Sequence, residues 1–187
     1  MRRLVLGLLA ALLVLVSSPA LASARSTAHT DPAGDTWVTE GEEGDINVPG
    51  PPTLTNGDIT RVFLAHRKHV VRVVMAAREV HTSAQFDITN GRGQILSVGL
   101  EGDNSLEVRA IRHGTFYPSS CTGIRHAVNV DAGTWAITVP RRCLHHPRKV
   151  RLRAFTAVDD AYTAFAPDDG LHDPGTSPWV RRGHHHR

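Results

Sequence analysis

The feature that most constrains this chain is a series of short apolar runs with a period of two, each closed by turn residues. Leu106, Val108 and Ala110 alternate with Glu107 and Arg109. Ile124, His126, Val128 and Val130 alternate with Arg125 and Asn129, and Trp135, Ile137 and Val139 alternate with Thr134 and Thr138. Val150, Leu152 and Ala154 alternate with Lys149, Arg151 and Arg153. Successive side chains of a strand point to opposite faces, so such a run lays one face on a core and one in water. Glu101-Gly102-Asp103-Asn104, His113-Gly114 and Asp131-Ala132-Gly133 supply turns between the runs. No helical period of comparable length appears. The pattern predicts an all-β fold, an antiparallel β-sandwich of about seven to nine strands.

Two further segments fit that fold. Ile59, Val62, Phe63 and Leu64 form one apolar run; Val70, Val71, Val73, Val74 and Met75 form the next, with Arg67-Lys68 between them. Ala76 and Ala77 favour a helix over 70–80, but the valines favour strand because β-branched side chains are stiff at χ1. The mixed rather than alternating pattern suggests central strands covered on both faces. Residues 84–89 and 94–100 flank Asn90-Gly91-Arg92-Gly93, a strong short-range hairpin signal.

The chain begins with Met1-Arg2-Arg3, an apolar run from Leu4 to Val16, and small residues with A-x-A patterns up to Ala24. This layout is read as a secretory signal peptide rather than an uncleaved anchor, because the run is shorter than the roughly 18 apolar residues of a membrane span. The expected division is a signal peptide over 1–24, an irregular acidic segment with a short strand over 25–57, a β-sandwich core over 58–160 and an irregular tail over 161–187. Removing Arg2 and Arg3 takes Lys and Arg from 21 to 19 against 18 Asp and Glu. A near-neutral mature chain gives nucleic acid little to bind, and no later run is long enough for stable membrane insertion. The expected location is outside the cell.

Export places the only two cysteines, Cys121 and Cys143, in an oxidising compartment, where a pair forms a disulfide. A three-residue turn ending at a left-handed Gly133 sets Val130 opposite Thr134, and an unbroken ladder then opposes the cysteines. That register also opposes Trp135 to Asn129 and puts the apolar faces out of phase. A bulge near Pro140 or a shift of one residue reconciles the two.

Site chemistry is sparse. Asp31 and Asp35 lie in an Asp-Pro-Ala-Gly-Asp turn and Asp58 opens the first core strand; the topology can gather Asp31, Asp35 and Asp58 into a calcium site, or the aspartates cap their own turns. No other cofactor is expected. His66 and His69, His145 and His146, and the terminal His184-His185-His186 have no zinc spacing with further ligands. No nucleophile elbow, Walker loop or other catalytic motif occurs, so no catalytic residue is assigned. Arg141, Arg142, Arg148, Lys149, Arg151 and Arg153 make a basic stretch, while residues 159–173 carry only acids. The basic stretch either faces an acidic segment of the same chain or marks a site for an anionic polymer. Trp37 and Trp179 lie outside the clear strands, where they either close the core or stack on a sugar.

The Asp31–Asp35 turn, Gly57-Asp58-Ile59-Thr60 before a valine-rich strand pair, and Val139-Pro140-Arg141-Arg142-Cys143-Leu144 followed by Pro147-Arg148-Lys149-Val150 resemble secreted β-sandwich proteins of actinobacteria. The opening is similar at fold level to carbohydrate-binding family 9 and DOMON-type sandwiches, which implies a sandwich that binds a sugar or a cofactor. The combined expectation is a secreted, non-catalytic binding or envelope-associated module whose partner is a glycan or cell-envelope polymer. The alternative is an extracellular hydrolase using loop carboxylates; pairs such as Glu42-Glu43 and Asp168-Asp169 sit in loops, where solvation is the plain reading.

Overall fold

The computed structural model describes residues 26–34, 37–40, 46–49, 53, 55–101, 104–158, 162–166 and 176–182. Among them lie fourteen strands: β1 (Ser26–Thr30), β2 (Trp37–Glu40), β3 (Ile46–Pro49), β4 (Ile59–His66), β5 (Val70–Ala77), β6 (Ser83–Asn90), β7 (Ile95–Leu100), β8 (Leu106–Arg112), β9 (Thr115–Pro118), β10 (Arg125–Asn129), β11 (Thr134–Pro140), β12 (Lys149–Val158), β13 (Tyr162–Ala166) and β14 (Val180–Arg181). A single 3-10 turn, Arg141–Leu144, interrupts them. Every pairing between these strands is antiparallel, and they form two sheets. One runs β1-β4-β5-β11-β10; the other runs β3-β2-β13-β12-β6-β7-β8-β9, with β14 also on β12.

The core is the layer between the sheets. Val71, Val73, Met75, Trp135, Ile137 and Val139 from the first sheet are at most 1% exposed and belong to one apolar cluster with Phe86, Ile88, Val98, Leu100, Val150, Leu152 and Ala154 from the second. The β-sandwich expected from the alternation is therefore present. The extra strands are short pieces at the sheet edges. Residues 25–57 hold β1, β2 and β3 rather than one short strand, and the tail holds β13 and β14. Strand β12 recruits both tail strands on one flank, β14 at Lys149 and Val150 and β13 from Ala154 to Val158. Residues 1–24, where a signal peptide is expected, lie outside the described residues.

Strand β5 differs from expectation in a way that matters for the surface. It is not covered on both faces: Val71, Val73, Met75 and Ala77 are buried, Arg72 is exposed, and Val70, Val74 and Ala76 are half-buried. On the outer side Val74 lies in register with Phe63 and Ala136, and Val70 with Pro140, so a weakly apolar outer row hides the period of two.

The β10–β11 hairpin settles the cysteine register. Val128 pairs with Trp135 and Asn129 with Thr134, one residue away from the ladder that would oppose the cysteines. The loop therefore has four residues, Val130 to Gly133. Its Gly133 N–H donates to the Val130 carbonyl at 3.0 Å, and the Ala132 N–H donates to Asn129 Oδ1 at 2.9 Å. Gly133 has φ +58° and a Cβ there would sit 2.5 Å from the Ala77 carbonyl oxygen, so only glycine closes this turn against β5. The shift puts both apolar faces in phase. The disulfide still forms, because the cysteines lie beyond the ladder, Cys121 in the loop before β10 and Cys143 in the 3-10 turn after β11, with Cα atoms 5.3 Å apart.

Candidate anion-binding cleft

Strand β12 begins beside three other segments: the β6–β7 turn, the residues after the 3-10 turn, and β14. Side chains and backbone from all four enclose a cleft of about 860 Å3, lined by Asn90, Gly91, Arg92, His145, His146, Pro147, Arg148, Lys149, Arg181 and Arg182. Five of these are Lys or Arg, two are His, and none is a carboxylate. Among the described residues none of the five cations forms an ion pair, whereas Arg78 pairs with Asp58 and Arg109 with Glu107.

Local sequence explains each wall. Asn90 ends β6 and is 2% exposed. Its Oδ1 accepts the N–H groups of Arg92 (2.9 Å) and Gln94 (3.1 Å), which is the side-chain turn chemistry that favours Asn here. Its Nδ2 donates to Gln94 Oε1 (2.9 Å) and to the Leu144 carbonyl (3.2 Å), fixing the hairpin turn to the 3-10 turn. Gly91 lets the stem of Lys149 pass close by: a Cβ on residue 91 would approach Lys149 Cγ to 3.1 Å.

The 3-10 turn ends on His145 (φ 56°) and His146 (φ 51°), two consecutive non-glycine residues in the left-handed region. Such backbone is costly and persists where surrounding structure over-determines it. Here the His145 and His146 N–H groups donate to the carbonyls of Arg142 (3.1 Å) and Arg141 (3.0 Å). Arg141, 7% exposed, donates through Nη1 to the Lys68 carbonyl (2.9 Å) and through Nη2 to the Pro147 carbonyl (2.7 Å). Burial, then the neighbouring Arg182 charge, lowers its pKa from the ordinary guanidinium value. Beneath the cleft, fully buried His66 donates from Nδ1 to the Val180 carbonyl (3.3 Å). Burial pushes its pKa down, against the Val180 hydrogen bond and with the help of Arg141 and Arg182.

The cleft opens onto the outer face of the nine-stranded sheet through Lys149. There Lys149, Arg151 and Arg153 follow one another on the same side of β12. The Lys149 Nζ lies 4.3 Å and the Arg151 guanidinium 5.1 Å from the centre of the Trp179 ring. Arg151 Nε is buried and has no hydrogen-bond partner among the described residues. A second cavity, about 340 Å3, lies behind the cleft; it includes Ser119, Cys121, Arg142 and Cys143, and shares Asn90 and His145 with it.

The aspartates form a different kind of site. Asp58 is fully buried; its Oδ2 accepts the Gly34 N–H (2.8 Å) and pairs with Arg78 Nη1 (3.1 Å). The Asp31 N–H donates to the Thr60 carbonyl (3.0 Å), so the turn does reach the start of β4. Asp35 lies outside the described residues. Among the described residues no group of three or more His, Cys, Asp or Glu side chains gathers to hold a metal. What the structure displays at Asp58 is a turn anchored on an ion pair. Trp135 is buried in the core and Trp179 is 38% exposed; the side chain of Trp37 and residues 184–186 lie outside the described residues.

Among the described residues no helix is long and apolar enough to cross a membrane. Comparison with protein-family models, curated proteins and solved structures finds no match to this chain.

Proposed function

We propose that this protein is a non-catalytic extracellular binding module that holds an anionic polymer, such as a charged glycan or envelope polymer, in the basic cleft at the start of β12. One observation carries the reading: among the described residues, five cations and two histidines line about 860 Å3 with no carboxylate. Like charges gathered in one concavity repel one another and focus a positive field outward, so an anionic ligand supplies what the described side chains around the cleft do not. The volume lies in the range of ordinary ligand sites. The signal-like first 24 residues and the disulfide support the extracellular setting.

The hydrolase alternative needs two facing carboxylates in a usable cleft. Glu101 and Glu107 do share a cavity, but it holds only about 90 Å3 and Glu107 is paired with Arg109. Calorimetric titration with dextran sulfate and with neutral dextran tests the binding reading. The sulfated polymer is expected to bind and the neutral one not, and the Arg148→Ala/Arg181→Ala variant is expected to lose at least tenfold in affinity. Equal binding of neutral dextran, or an unchanged affinity in the double variant, would overturn it.

A further inference from the structure

The cleft does not end at its rim. Val180 pairs with Val150 and is 1% exposed in the core, so the preceding residue, Trp179, projects to the opposite, outer face of the sheet. On that face lie Lys149 and Arg151, two residues apart and thus about 6.7 Å from one another along β12. The Trp179 ring rests across both cations and remains 38% exposed. Lys149 is at once a wall of the cleft and a support of the ring. An indole held on two cations is already ordered before any ligand arrives, so a ring that stacks on it costs little side-chain entropy.

We propose that Trp179 is a stacking subsite continuous with the basic cleft, and that the ligand is therefore an acidic polysaccharide, with a sugar ring on the indole and its acid groups on Lys149, Arg151 and the cleft cations. This rests on the anion-binding reading and narrows it. A polyphosphate chain satisfies the cations but leaves an exposed indole with nothing to cover it. Single-stranded nucleic acid also stacks on aromatic side chains, but its grooves interleave several such rings with cations. Among the described residues no Phe, Tyr or Trp lines the cleft, and the Trp179 indole stands at its edge.

The test compares four probes on the full secreted chain: a sulfated dextran oligosaccharide, neutral dextran of the same length, inorganic polyphosphate of matched charge, and oligo-dT. Affinities are measured for wild type, Trp179→Ala, Trp179→Phe and Arg148→Ala/Arg181→Ala. The sulfated oligosaccharide is expected to bind at least tenfold more tightly than polyphosphate. Trp179→Ala is expected to erase that preference by lowering affinity for the sulfated oligosaccharide at least tenfold relative to affinity for polyphosphate, and Trp179→Phe to keep part of it. Equal affinity for the sulfated oligosaccharide and polyphosphate, with no effect of Trp179→Ala, overturns the stacking subsite and leaves the anion cleft standing. Tighter binding of oligo-dT overturns the polysaccharide in favour of nucleic acid. Failure of every anionic probe to bind overturns the cleft itself, and the subsite with it.

Discussion

The amide of Asn90 holds the carbonyl of Leu144, 54 residues away, at 3.2 Å, and so fixes two walls of the basic cleft in one orientation. The same side chain makes three further hydrogen bonds within the β6–β7 turn. Asn90→Ala takes this partner from the buried Leu144 carbonyl and from two part-buried N–H groups, and a loss of about 2–3 kcal/mol is expected. Asn90→Asp retains the acceptor but faces the Leu144 carbonyl with a second acceptor, so it is also destabilising. Denaturant unfolding of the two variants measures this; stability within about 0.5 kcal/mol of wild type would contradict the role given to Asn90.

Cys143 sits two residues before His145, and its bond to Cys121 spans 22 positions of sequence. Closing a loop of that size contributes roughly 3 kcal/mol in the chain-entropy account. Reduction is expected to lower Tm while far-UV circular dichroism keeps its strand signal, because Cys143 only packs against the margin of the apolar layer that holds the sheets together. Affinity for dextran sulfate is expected to fall with it, since the bridge holds the turn that carries His145 and His146. Two reactive thiols in the oxidised, denatured protein would refute the pairing.

Much of this fold was legible. Asn90-Gly91-Arg92-Gly93 marked a hairpin that forms with Thr89 opposite Ile95, because the Asn and Gly are dictated locally by the turn. The β10–β11 register was legible only by its faces: turn counting favoured a three-residue loop, whereas the apolar phase of Val128 and Trp135 demanded the pairing that forms. β13 and β14 were not legible, since strands of five and two residues are defined by the β12 edge they join rather than by their own pattern. The cleft was half legible. Arg148 and Lys149 stood in the basic stretch, but Arg92, Arg181 and Arg182 come from distant segments that only the sheet brings together. Net charge also concealed it, because ten of the 18 acids fall within residues 35–45 and 159–173.

Buried Asp58 has its Oδ2 committed to Arg78 and to the Gly34 N–H. Asp58→Asn keeps the shape but weakens both interactions and leaves Arg78 without its partner. A loss of about 2–4 kcal/mol is expected, as for a broken buried charge pair, reduced because Arg78 is partly exposed. The guanidinium beside the carboxylate disfavours a divalent cation at the same oxygen. Millimolar Ca2+ is therefore expected to leave Tm unchanged in wild type; a saturable rise in Tm would show that Asp31, Asp35 and Asp58 do bind calcium.

His66 carries the clearest pH dependence. Burial lowers its pKa below the ordinary 6.5, so in the window just below 6.5 the unfolded chain binds a proton that the folded chain does not. Stability therefore rises with pH across that window and falls on acidification through it. His66→Gln removes the titrating group, and its plot of unfolding free energy against pH is expected to be flatter than that of wild type below pH 6.5. Parallel plots would show that His66 does not carry the effect.

The most direct measurement of the central claim is the salt dependence of dextran sulfate binding. Each cation that an anionic polymer neutralises contributes to the slope of log K against log salt. Arg148→Ala, Arg181→Ala and Arg182→Ala are each expected to reduce both affinity and slope. Arg72→Ala and Arg125→Ala, on the outer face of the five-stranded sheet, are expected to change neither. Equal losses from both sets of variants would mean that the polymer senses only overall charge, and would contradict a binding site at the start of β12.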